Sequence, residues 1–212
     1  MYWGTPIVEV QNPDHERIKE ALTACAYELQ KKSSQPIESG VSPFLKHGVY
    51  ESSFNFFRND LKEVQELRHF CTQALAEMVF FLHREVNKPK TPLPRINVDL
   101  FESWVHVTQD GGYHDPHVHS NCSWCGIYYI DIGDATADPP NGCNRFYPPT
   151  ALVYQDVGTM ICPLAIVHPV PENGKLILFP SHVQHAGVVY RGMRDRILAS
   201  FNARVTFVRP GA

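Results

Sequence analysis

Residues 96–119, INVDLFESWVHVTQDGGYHDPHVH, read as β-structure. Runs of Val, Ile, Phe and Trp are broken by Gly, Asp and Asn, which predicts strands over 96–108 and 113–119. The same character continues to the C-terminus. Further strands are expected over 125–132, 157–162, 175–180, 184–190 and 195–207. Upstream the pattern differs. Residues 6–10 suit a short strand. Ile18, Leu22, Cys25 and Leu29 then recur every three or four residues, which predicts an amphipathic helix over 13–32, with Asn12 as its cap and Pro13 in its first turn. A second helix is expected over about 60–86, with a stripe through Leu61, Val64, Leu67, Cys71, Leu75, Met78 and Leu82. Both stripes are packing faces. Residues 33–58 read as loop with short extended pieces, and 133–156 as a long connection suited to a lid or an insertion. Helices first and strands afterwards make an α+β chain whose strands close a barrel or sandwich.

Size and composition bound the function. The 212 residues suit one domain, with 1–93 as an N-terminal strand and supporting helices and 94–212 as the β core. A net charge of −3 gives no basic footprint, so neither nucleic acid nor an acidic membrane is an expected partner. The longest apolar run, Met78 to Leu82, is far below the roughly 18 residues of a membrane span. The N-terminal residues show no secretory pattern, so a cytoplasmic location with reduced thiols is the expectation. A homodimer is compatible with all of this. Of the six cysteines, Cys122 and Cys125 form a Cys-x-x-Cys that could hold zinc with Cys143, although the second half of a usual zinc motif is missing.

The chemistry concentrates in histidines. In a strand, positions i and i+2 share a face, so His117 and His119 can aim two imidazoles into one interior. A surface histidine pair is the competing reading. Gly174 to Pro180 is an apolar strand ending in a turn, and His185 opens the next strand; an antiparallel barrel can bring it beside the first pair. His182, three residues earlier, competes with it. Three ligands on one face leave positions open for substrate and oxygen. In the last strand, alternation sets Arg196, Leu198, Ser200 and Asn202 on one face and Ile197, Ala199 and Phe201 on the other. An arginine among such neighbours needs a partner. That partner is a bidentate carboxylate from a small diacid, or an ordinary salt bridge to Asp195 or Glu102. Strand parity adds Trp104, Tyr113, Tyr129 and Asn202 as pocket candidates.

His117-Val-His119, Trp124-Cys-Gly-Ile-Tyr-Tyr129, Leu178-Phe-Pro-Ser181, His185 and Arg196-Ile-Leu-Ala-Ser-Phe-Asn202 together resemble the 2-oxoglutarate- and iron(II)-dependent oxygenase superfamily. They are most similar to its small bacterial and phage-type family. The resemblance covers about residues 97–205. It implies a double-stranded β-helix, or jelly roll, braced by N-terminal helices. It implies Fe(II) held by His117 and His185, with His119 as first choice for the third ligand and Asp115 as the fallback. Arg196 would bind the distal carboxylate of 2-oxoglutarate, with Asn202 and Tyr129 as further cofactor-binding candidates. The reaction implied consumes O2 and 2-oxoglutarate, releases succinate and CO2, and oxidises a C–H bond, most often by hydroxylation. Substrates in keeping with it are small molecules and amino-acid or peptidyl side chains. The superfamily's usual acid stands two residues after the first histidine, where this chain has His119.

Two other readings fit some of the same residues. A cupin-like oxygenase would use three histidines and no 2-oxoglutarate, and Arg196 discriminates against it. A non-enzymatic jelly roll would close the metal site with a fourth ligand from His114, His182 or Asp115.

Overall fold

The computed structural model describes residues 5–33, 46–87, 95–148 and 166–208. The elements run β1 (Val8–Gln11), α1 (His15–Lys32), β2 (Lys46–Glu51), a 3-10 turn (Phe56–Arg58), α2 (Lys62–Asn87), β3 (Ile96–His117), β4 (Trp124–Asp131), β5 (Thr136–Ala137), β6 (Pro140–Asn141), β7 (Asn144–Phe146), β8 (Lys175–Pro180), β9 (His185–Gly187) and β10 (Arg196–Phe207). One eight-stranded antiparallel sheet follows the order β1-β8-β4-β10-β3-β9-β7, with β2 on the other edge of β3. The sheet curls into the jelly roll expected from the sequence.

The two strands predicted over 96–108 and 113–119 are one strand that changes partners within the sheet. Its first half, Ile96 to Thr108, pairs with β10. Beyond Gly111-Gly112 the chain pairs with β9 instead, at His114 and His117. β2 follows the bend on the far side, and its register shifts between His47 and Val49. Gly112 permits the turn, because a Cβ there would stand 2.6 Å from the Gly48 carbonyl. His119 therefore lies two residues past the strand end, and same-face alternation is not what places it.

Alternation along the central strands separates two cores. Tyr128 and Ile130 of β4, with Ile197, Ala199 and Phe201 of β10, pack against the helices. Ile18, Leu22 and Ala26 of α1 and Val64, Leu67, Cys71, Leu75 and Met78 of α2 complete that layer. Cys125, Ile127 and Tyr129 of β4 and Leu198 of β10 face the opposite side, with Phe146 and Phe179. Burial of side chains on both faces of one sheet fixes its register, since a one-residue slip would exchange the faces.

Several local expectations change. The first helix starts at His15, not Pro13. Asn12 is drawn into the core, where its Nδ2 donates to Tyr128 Oη (3.1 Å) while its Oδ1 accepts from the Asp14 amide (3.0 Å). One of the short extended pieces expected within 33–58 is β2, residues 46–51, where Val49 and Tyr50 are buried and the strand pairs with β3. The connection after 132 is not all lid: Asn144–Phe146 joins the sheet beside β9. The strand expected over 157–162, Cys162 and the rest of that connection from 149 to 156 lie outside the described residues. Among those described, no helix is long and apolar enough to cross a membrane.

Candidate active site

The inner face of the curled sheet encloses a cavity of about 350 Å³. That is the size range of small-molecule sites. At one end, β3 and β9 pair with His117 opposite His185. Their ring centroids lie 4.2 Å apart, and His119 lies 5.2 and 5.3 Å from them. One ligand nitrogen from each of the three falls within 4.8 Å of the others. His182 is exposed, and Asp115 stands 3.7 Å from His47 instead of joining the cluster. His114 stacks on His117 at 3.9 Å as a fourth ring at the wall.

The hydrogen bonds select a tautomer. His117 Nδ1 donates to the Asp115 carbonyl (2.8 Å), and His185 Nδ1 donates to the Val183 carbonyl (3.1 Å). In both rings the Nε2 lone pair is left for a metal. Burial pushes all four histidines below their ordinary range: His117 to about 4, His185 and His114 well down, and His119 in the same direction despite its hydrogen bond to Asn202. Neutral imidazoles are the form that binds metal. The donor set therefore fits iron with open positions.

Arg196 lies farther along the same cavity. It is 5% exposed, and among the described residues no carboxylate pairs with it. Its Nη2 donates to Asn144 Oδ1 (3.1 Å), its guanidinium faces the Tyr129 ring at 5.8 Å, and its Nε has no partner among the described residues. Neither competing acid takes it: Glu102 accepts from Asn202 (2.8 Å), and Asp195 accepts from Tyr27 (3.1 Å). A buried cation with an orphaned donor is costly unless a visiting anion completes it. This is the site a distal carboxylate of 2-oxoglutarate would fill.

Tyr129 stands behind Arg196, its hydroxyl donating to Asn144 Oδ1 (2.6 Å). Asn202, six residues along β10 from Arg196, belongs to the histidine end, where it meets His119, Glu102 and Cys125. Trp104 stacks on His119 with centroids 6.1 Å apart, and Tyr113 lines the cavity while stacking on His47 at 4.3 Å.

The sequence reading missed one group. Glu51 of β2 sits across from His106 of β3, with Glu51 Oε2 2.6 Å from His106 Nε2 and an ion pair to Lys46. All three line the cavity. Burial pushes the Glu51 carboxyl up, but the His106 hydrogen bond and the charges of His106 and Lys46 outweigh it and hold it at about 2. Burial pushes His106 down. The only available signal was strand parity, which puts His106 on the same face as Trp104 and Thr108.

Comparison with known proteins follows this geometry. Residues 102–202 match the family described as "Putative 2OG-Fe(II) oxygenase". No curated protein matches the sequence. Among solved structures, a Pseudomonas putida prolyl-4-hydroxylase superposes with a TM-score of 0.57 at 13% identity, over 94% of this chain and 93% of that one. A Trichoplax adhaerens prolyl hydroxylase, solved with a hypoxia-inducible-factor peptide, gives 0.57 at 14%, over 92% and 83%. The non-heme α-ketoglutarate-dependent epimerase SnoN of nogalamycin biosynthesis gives 0.64 at 14%, over 98% and 80%. These likenesses extend the fold over nearly the whole chain. The matched segment, 101 of the 212 residues, holds the three clustered histidines and Arg196, and over it the chain is similar to the 2OG-Fe(II) oxygenases, enzymes whose cofactors are Fe(II) and 2-oxoglutarate.

Proposed function

We propose that the chain acts as one oxygenase domain, with His117, His119 and His185 as the iron ligands and Arg196 as the anchor for the distal carboxylate of 2-oxoglutarate. Its reaction is the oxidation, by hydroxylation, of a C–H bond in a small molecule or an amino-acid side chain. The observation that carries this reading is the pairing, in one cavity, of three histidines with a buried arginine that has no anionic partner among the described residues. Bound Fe(II) and 2-oxoglutarate supply O2 activation coupled to decarboxylation, the oxidising power the C–H bond needs. The protein's residues supply placement. The Asp115 and Val183 carbonyls fix the rings of His117 and His185, and Asn202 holds His119. Asn144 and Tyr129 hold the guanidinium of Arg196. Trp104, stacked on His119, forms an apolar wall that excludes water from the metal end.

The cavity wall made by Glu51, His106 and Lys46 faces the substrate's side of the site in this reading. The substrate is a single residue or small molecule and not a nucleic acid, since a net charge of −3 offers no basic track. The solved structures of similar fold include prolyl hydroxylases, which supports a peptidyl side chain as one substrate class. The three-histidine enzyme without 2-oxoglutarate is disfavoured, because it leaves Arg196 buried without purpose.

The test is anaerobic titration of the metal-free protein with Fe(II) and then 2-oxoglutarate, followed by the visible charge-transfer band of the chelate. The band should saturate near one equivalent and be lost in Arg196→Ala, which should still bind iron. Iron binding without a band in the unaltered protein would overturn the 2-oxoglutarate assignment.

A further inference from the structure

His119 also belongs to a second cluster. One nitrogen of its ring and the thiols of Cys122 and Cys125 all lie within 4.8 Å of one another. The sequence reading joined the two thiols with Cys143; the third partner is His119 instead. The sulfurs are 3.6 Å apart. A disulfide would need about 2.05 Å. Two thiolates on one tetrahedral ion, each at about 2.3 Å, stand roughly 3.8 Å apart. The two thiols are in hydrogen-bond contact at this spacing, and one ion can bridge them with little movement.

The three residues sit on one short connection, His119-x2-Cys122-x2-Cys125, between β3 and the start of β4. That connection is held in place. The His119 amide donates to the Ser181 carbonyl (3.0 Å), the Ser181 amide to Ser123 (3.1 Å) and the Ser123 amide to Ala203 (3.1 Å). Ser181 Oγ donates to the Cys122 carbonyl (2.8 Å). Asn202 Oδ1, 3.5 Å from Cys125 Sγ, stands beside the cluster as a fourth donor. Cys125 is 2% exposed and lines the cavity, so an ion in the cavity can reach it.

We infer that Cys122, Cys125 and His119 form a second metal site, selective for a thiophilic ion such as zinc, cadmium or copper(I), and that this site and the iron site exclude each other. Thiolate ligands prefer those ions to Fe(II). A neutral imidazole has one lone pair. When His119 serves the thiol pair, iron is left with His117 and His185 alone. The soft-metal site stands on its own geometry; the exclusion rests on the proposed iron-ligand role of His119.

The experiment uses the full metal-free chain, kept reduced by a phosphine, and Cd(II) as the probe. An ultraviolet thiolate-to-cadmium charge-transfer band should saturate at one equivalent. Cys122→Ser, a half-buried and therefore mild change, should weaken cadmium binding by more than the roughly 10–100-fold that loss of an outer-shell partner costs. Cys125→Ser should do the same, with circular dichroism reporting whether this buried position still folds. A band of full strength and affinity in Cys122→Ser would overturn the site. Next, Fe(II) affinity is compared with and without one equivalent of Cd(II). Cadmium should weaken iron binding in the unaltered chain and have far less effect in the Cys122→Ser, Cys125→Ser double variant. An equal effect in both would overturn the exclusion, because cadmium would then be acting at the three histidines directly. If the cadmium-free chain does not bind iron, the iron reading fails, and the cadmium band still decides the thiol site.

Discussion

His117 and His185 face each other across the β3–β9 pair, and each gives its Nδ1 proton to the carbonyl two residues before it, at Asp115 and Val183. The two bonds are the same local motif on opposite strands, and together they point both Nε2 atoms into one cavity.

Under the proposed assignment, replacing either ring would remove an iron ligand. His117→Ala and His185→Ala should each lower Fe(II) affinity by at least 100-fold, more than the loss of an outer-shell partner would. Asp115→Ala should change it little, because its carboxylate lies outside the cluster and its carbonyl remains. Anaerobic iron titration checks all three, and iron loss in Asp115→Ala would restore the carboxylate as third ligand.

Acid should destabilise the metal-free protein in a defined window. Burial lowers His117 from its ordinary 6.5 to about 4 in the folded chain. A histidine with a lowered pKa contributes stability that is present above 6.5 and lost as pH falls toward 4, about 3 kcal/mol in all. His117→Gln should flatten that part of the profile in urea unfolding. The same shift means that protons compete with metal at His117 only near pH 4, so iron binding should survive acidification that strips an exposed histidine cluster.

Glu51 should govern a lower window. Held at about 2 against an ordinary 4.5, its carboxylate contributes stability that is present above 4.5 and lost as pH falls toward 2, again about 3 kcal/mol. Glu51→Gln should remove most of it at neutral pH, since Lys46 then keeps a charge in a nearly buried position without its partner. Chemical unfolding at pH 7 and pH 2 checks this: the two proteins should differ at pH 7 and nearly converge at pH 2.

Arg196 separates stability from function. Arg196→Met replaces an incompletely partnered buried cation with an apolar chain of similar length, so thermal stability should be equal or higher. Affinity for 2-oxoglutarate should fall by roughly 10–150-fold, the range of a charge-assisted hydrogen bond. In a melt series on the iron-loaded protein, added 2-oxoglutarate should raise the melting temperature of the unaltered chain further and leave that of Arg196→Met nearly unmoved.

The parts of the site legible in the sequence were those whose residues carry their own signal. His117, His119, His185 and Arg196 recur at motif spacing, and the alternation of β10 put Arg196 and Asn202 on the inner face. The end of the cavity each serves was not legible, because it depends on which strand lies opposite. Glu51 and His106 were missed for a related reason. They are 55 residues apart, Glu51 fell within a stretch rich in Ser, Pro and Gly, and only the non-local pairing of β2 with β3 joins them. The helix faces read correctly because their period is local. The helix start did not, since Asn12 is claimed by Tyr128, a residue 116 positions away.

Asn144 has a further effect. A single amide oxygen receives both the Tyr129 hydroxyl and Arg196 Nη2, and being neutral it orients the guanidinium without cancelling its charge. The cavity floor is therefore an anion exchanger in miniature. Chloride, sulfate and phosphate should all compete there with 2-oxoglutarate. The apparent affinity measured for the co-substrate will then depend on the identity of the buffer anion at constant ionic strength.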